Sequence, residues 1–170
     1  MSIEDIKAGQ AADYARPERQ NELQELHNEV QELLLGHNVL VLGSEYWEPI
    51  IAEMADSVND GNYTAVFSEF SHVKREDQDR FLKEVRQRTG KDVLLVLLGE
   101  AYVEGSSTVT ARTDLSGNTY QLRNNNAGER FEKLTNYPTD SYLRKKLATF
   151  GREIRIERHK YYWFVNCRLK

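Results

Sequence analysis

Cysteine, proline and long apolar runs are scarce in this chain. One cysteine, Cys167, among 170 residues leaves no internal disulfide and no cysteine-based zinc site. A reducing, cytoplasmic location is the expectation that follows. The longest apolar run, Val93 to Leu98, is far too short to span a bilayer. The opening Met1-Ser2-Ile3-Glu4-Asp5 carries early acids and no apolar stretch, so no signal peptide is expected. An excess of basic residues is also missing. With 23 Lys and Arg against 27 Asp and Glu, the net charge of −4 argues against nucleic acid as the main partner. No repeat and no low-complexity linker interrupts the chain.

What is present is an ordinary globular composition, 39% hydrophobic and 29% charged. The length fits a single domain over residues 1–170. Residues 1–17 read as a polar arm or a weak helix. In 18–35, Leu23, Leu26, Val30, Leu33 and Leu34 recur at helical spacing, and Gly36 ends that helix. Asn38 to Leu42 is a short apolar run of the kind found in strands buried on both faces. Trp47, Ile50, Ile51, Met54, Ala55 and Val58 then form one apolar stripe, predicting a helix over 47–58. Tyr63 to Phe67 reads as a second buried strand, 75–89 as a helix, and Asp92 to Leu98 as the central strand.

After that the period changes. Thr119 to Arg123 and Arg130 to Leu134 alternate apolar and polar around a polar turn, which predicts a β-hairpin. Thr139-Asp140 opens a last helix, followed by two antiparallel strands over 153–158 and 161–169. The expected segments are thus an arm and helix (1–36), a β-α-β-α-β core (37–98), a hairpin insertion (99–138), and a helix with two strands (139–170). This order implies a three-layer α/β domain.

The chain resembles the class I S-adenosylmethionine-dependent methyltransferases, in particular a bacterial small-molecule branch. The resemblance runs along nearly the whole chain. It is carried by Tyr14-Ala15-Arg16-Pro17-Glu18-Arg19-Gln20, by Val39-Leu40-Val41-Leu42 followed by Tyr46-Trp47, and by Ser71-His72-Val73. Its most specific part is Tyr102-Val103-Glu104-Gly105-Ser106-Ser107-Thr108 with Arg112-Thr113-Asp114 and Gly117 to Arg123; Tyr161-Tyr162-Trp163 matches the last strand. The resemblance implies a Rossmann-like fold with S-adenosylmethionine as cofactor. It places Gly43, Ser44, Tyr46, Trp47, Glu69 and Phe70 on the cofactor side. It places Tyr14, Tyr102, Arg112, Tyr120 and Arg123 on the acceptor side, with His72 as the candidate catalytic base.

Three departures from the family pattern matter. The loop Gly43-Ser44-Glu45-Tyr46-Trp47 has one glycine where the family has several, and Glu45 adds a negative charge where a carboxylate-bearing ligand would sit. Only four turn residues separate Val58 from Tyr63, so the family's second and third strands have no counterpart, nor does the acid that grips the ribose. Gly99-Glu100-Ala101 stands where the branch carries polar side chains. The family sheet order 3-2-1-4-5-7-6 reduces to about 1-4-5-7-6, with strand 1 as an edge. A right-handed crossover from strand 1 to strand 4 would then force the intervening helix onto the other face, unless a partner chain supplies strands. Charge-assisted bonds to two ribose hydroxyls contribute about 1.5–3 kcal/mol each. Their loss would weaken cofactor binding by roughly two to four orders of magnitude.

Two functions therefore stand open. One is a degenerate methyltransferase-like protein acting as a binding or partner subunit, including a homodimer formed through the exposed edge strand. The other is a compact active methyltransferase for a small molecule, its site completed by dimerisation. Single residues are equally open. His72 suits a general base or a surface helix start. Glu69 suits a cationic ligand or solvent. Tyr46 and Trp47 suit a ligand stack or the core. Tyr102, Arg112, Tyr120, Arg123 and Lys133 suit acceptor orientation or simple solubility. His27, His37 and His159 lack ligand spacing, so no metal site is expected.

Overall fold

The computed structural model describes residues 10–170; the earlier part of the expected arm lies outside them. Residues 10–14 are helical, and a 3-10 turn at Pro17–Arg19 leads into α1 (Gln20–Leu34). The chain continues through β1 (Asn38–Leu42), α2 (Trp47–Met54), β2 (Ser57–Val58), β3 (Ala65–Glu69), α3 (Gln78–Thr89) and β4 (Leu94–Glu100). Next come β5 (Thr110–Thr113), β6 (Thr119–Asn124) and β7 (Arg130–Leu134), then α4 (Asp140–Ala148), β8 (Gly151–Arg158) and β9 (Tyr162–Leu169).

The main sheet has the order β2-β1-β3-β4-β9-β8, the first four strands parallel and the last two antiparallel to their neighbours. Strand alternation divides the core in two. Val39, Val41, Phe67 and Val96 face α1 and α2, where Leu26, Val30, Leu34, Trp47 and Ile51 cover them. Leu40, Val66, Leu95 and Leu97 face α3 and α4, covered by Leu82, Val85, Leu143 and Leu147. This is a reduced Rossmann-like α/β fold of three layers, with a C-terminal antiparallel pair.

Strand 1 is not an edge. The apolar stripe predicted a helix to Val58, but α2 stops at Met54 and Ser57–Val58 pair in parallel with Asn38–Val39. The reason is local. Asp56 N donates to His37 O and Asn59 N donates to Val39 O, both at 2.9 Å, so this backbone bonds to β1 instead of extending the helix. The β1-α2-β2 crossover therefore runs outward, and the β3-α3-β4 crossover runs outward the other way. Their helices lie on opposite faces, as two right-handed crossovers in opposite directions require. The expected change of face by α2 does not occur. The switch point between β1 and β3 survives within one chain.

The expected hairpin is a separate three-stranded sheet, β5-β6-β7, since Thr110–Thr113 adds to it. Asn118 and Asn136 fasten it to the segment after β3. Asn118 Oδ1 accepts from Arg75 N at 2.8 Å, and Asn136 N donates to Ser71 O at 2.7 Å. Among the described residues no helix is long and apolar enough to cross a membrane.

Candidate functional site

A cleft of about 880 Å³ opens between the carboxyl ends of β3 and β4 and the inner side of the small sheet. Its floor is Glu69, Ser71, His72, Leu98, Gly99 and Glu100, with Tyr162 beside them. Its roof is Arg112, Tyr120 and residues 130–135, and Gln10 and Tyr14 of the arm close one side. The location is the one expected for a ligand at the end of a parallel sheet. Gly99 lets the Trp163 ring pack directly beneath the floor: a side chain there would collide with that ring and come within 2.7 Å of Ser71 Oγ.

The arm is held over the cleft by ionic bonds. Buried Asp13 pairs with Arg123 at 2.9 Å, with Arg16 at 3.0 Å, and with Lys133. Burial opposes ionisation of Asp13, but the charges of Lys133 and Arg123 outweigh it and hold the carboxyl below its ordinary range. Arg19, fully buried, donates to Ser106 Oγ at 3.0 Å and Glu100 Oε1 at 3.3 Å. Sequence reasoning missed Asp13, Arg19 and Thr135. Asp13 precedes Tyr14 in a stretch that reads as a polar arm, and no local signal marks its burial.

Glu69 ends β3 and is buried, not solvated. Tyr14 OH donates to Glu69 Oε1 and itself accepts from Trp47 Nε1 at 3.1 Å. Glu69 Oε2 has no hydrogen-bond partner. Burial, helped by the nearby charge of Glu100, pushes the Glu69 carboxyl up to about 8. His72 is half-buried on the same floor. Burial, with the positive charge of Lys133, brings its imidazole down to about 4, so the ring is neutral at pH 7.

The remaining sequence candidates separate. Tyr14, Glu69, His72, Arg112 and Tyr120 line the cleft. Arg112 pairs with Glu132 at 2.7 Å and lies 4.0 Å over the Tyr120 ring. Arg123 serves Asp13 instead. Tyr102 is exposed and meets Tyr137 edge-on. Trp47 belongs to the core under α1, and Phe70 points into the opposite core. Gly43 takes a left-handed φ of +66°, and His72 Nε2 lies 3.3 Å from where its side chain would begin. Ser44 is buried and closes the turn, its Oγ accepting from Trp47 N at 3.1 Å and its carbonyl from Glu48 N at 3.2 Å. Among the described residues no group of three or more His, Cys, Asp or Glu is placed to hold a metal. Cys167 is buried, which pushes its thiol up to about 11.

Several features here depart from the cofactor-binding pattern that the resemblance implies. The turn after β1 uses the amides of Trp47 and Glu48 within itself. Tyr14 stacks on Tyr46 of that turn at 4.1 Å. Most directly, β2 ends at Val58, opposite Val39, while β1 runs on to Leu42. The end of β2 is thus three residues, about 10 Å, below the end of β1. The residue after β2, Asn59, turns its side chain back onto β1, its Oδ1 accepting from Val41 N at 2.9 Å.

No protein-family model matches the chain, and no curated protein does. Solved structures do. A DhpI complex with SAH superposes with a TM-score of 0.71 at 14% identity, covering 99% of this chain and 98% of that one. A DhpI complex with SAM and HEP gives 0.68 at 15% identity, covering 99% of each. The PH0226 protein from Pyrococcus horikoshii OT3 gives 0.59 at 12% identity, covering 93% of this chain and 94% of that one. The chain has the class I S-adenosylmethionine-dependent methyltransferase fold.

Proposed function

We propose that this protein is a methyltransferase-fold binding protein that holds a small polar molecule in the cleft. It does not bind S-adenosylmethionine in the family's manner, and it works as a monomer in the cytoplasm. The observation that carries this reading is the short β2, which ends level with Val39 and leaves no platform for a ribose-gripping acid. The internally bonded turn at Ser44 supports the same reading. The similarity to DhpI, which is seen with SAM and HEP together, supports only the small-molecule site, because the cleft here is lined by Tyr14, Arg112 and Tyr120 from the expected acceptor side. The lone buried Cys167 supports a reducing location.

Incubation of the purified protein with methyl-labelled S-adenosylmethionine and a panel of small alcohols, amines and carboxylates tests it. No labelled product above the protein-free background is expected. Sustained turnover would overturn the reading. It would favour the second one, a compact active methyltransferase, which rests on neutral His72 lying beside Gly43 on the cleft floor.

A further inference from the structure

The ionic side chains around the cleft are mostly paired within the protein. Lys133 is held by Asp13, Arg112 by Glu132 through two bonds of 2.7 Å, and Glu100 by Arg19 at 3.3 Å. Among the carboxylates Glu69 is the exception, and of the cations Lys74 and Arg130 have no ion pair among the described residues. Tyr14 satisfies one carboxyl oxygen, while Oε2 is buried without a partner. Among the described residues one other buried side-chain polar atom lacks a partner, Thr135 Oγ1, and Thr135 lines the same cleft. Buried polar atoms in folded proteins are nearly always hydrogen-bonded. Two such exceptions in one cleft point to partners that a ligand brings.

The chemistry of that ligand follows from the groups left for it. A carboxyl oxygen at the floor asks for a donor, and Tyr14, Tyr120 and Tyr162 line the same cleft. A carboxylate oxygen without a partner favours a donor with N–H groups, most strongly a cation. Of the cations that line the cleft, Lys133 and Arg112 are held by carboxylates, which leaves Lys74 and Arg130 for any anionic group that the same ligand carries.

We propose that the cleft binds a small primary amine whose ammonium donates to Glu69 Oε2 and whose second polar group meets Thr135 Oγ1. This rests on the cleft being a small-molecule site and adds the charge class of its ligand. Glu69 faces Asp13 and Tyr14 of the arm, His72 beyond β3, Glu100 of β4, and Tyr120 and Lys133 of the small sheet. In the free protein, burial keeps Glu69 protonated to about pH 8. An ammonium taken up at pH 7 therefore displaces the Glu69 proton to the buffer: the O–H bond breaks, the carboxylate keeps the electron pair, and the ammonium keeps all its hydrogens.

The test is calorimetric titration of the full chain at pH 7 with tyramine and with its uncharged analogue tyrosol, in two buffers of different ionisation enthalpy. Tyramine is expected to bind at least roughly tenfold more tightly than tyrosol, with release of about one proton. Glu69→Gln is expected to abolish the difference between the two probes. If that variant does not fold, the wild-type proton count decides. Equal binding of the two probes, no tyramine binding at millimolar concentration, no proton release, or an unchanged preference in Glu69→Gln would each overturn the proposal. The binding-protein reading fails separately. Labelled product formed alongside Glu69-dependent tyramine binding would overturn that reading and leave this one standing.

Discussion

Glu69 and His72 share a floor, yet burial drives their titrations in opposite directions. The Glu69 carboxyl is raised to about 8, so the folded state binds its proton more tightly than the unfolded state. Stability from this group is full below the ordinary carboxyl pKa and is lost as pH rises toward 8, to a total of about 4–5 kcal/mol. His72, lowered to about 4, acts the other way, and its stability is lost as pH falls from about 6.5 to 4. Thermal melts between pH 6.5 and 9 should show the wild type losing stability as pH rises and Glu69→Gln staying nearly level. Parallel losses in both proteins would contradict the burial of an ionisable Glu69. In a proton NMR titration the His72 ring signals should not shift between pH 5.5 and 8. A midpoint near 6.5 would show an exposed imidazole.

At the scale of elements, the arm and the small sheet are joined through one carboxylate. Asp13 lies among Lys133, Arg123 and Arg16, and its loss leaves buried Lys133 and half-buried Arg123 without that counter-charge. Asp13→Ala should cost about 3 kcal/mol in urea denaturation and expose the 101–137 region to proteolysis before the main sheet. A loss under about 0.5 kcal/mol would mean that the network is no stronger than an exposed ion pair. Much of this architecture was legible in the sequence, because buried parallel strands such as Asn38–Leu42 and Leu94–Glu100 are continuous apolar runs. Two-residue β2 was not, since Val58 also fits the apolar stripe of α2 and nothing local separates the readings. Thr110–Thr113 was missed because its residues are mostly exposed and show no apolar alternation. In the site, His72 and Glu69 could be placed from the end of a strand. The paired state of Arg123 depends on Asp13, 110 residues away in sequence, which no spacing reveals.

On the proposed reading, the whole molecule keeps one half of a two-ligand design. The switch point, the cleft and the small sheet over it remain, while the ground beside β1 is reduced to Ser57–Val58. Both edges of the main sheet are blunted. β2 is two residues long, and β8 presents Arg152, Glu153, Arg155, Glu157 and Arg158 with a bulge between Arg152 and Arg155. Charges and bulges on an edge strand oppose pairing with another chain, which supports the monomeric reading. The measurement that tests this account most directly is isothermal titration calorimetry with S-adenosylhomocysteine, with light scattering on the same sample. The account predicts the mass of one chain and no saturable heat up to millimolar ligand. Micromolar binding, or a dimer that binds, would contradict it and show that the cofactor half has been rebuilt.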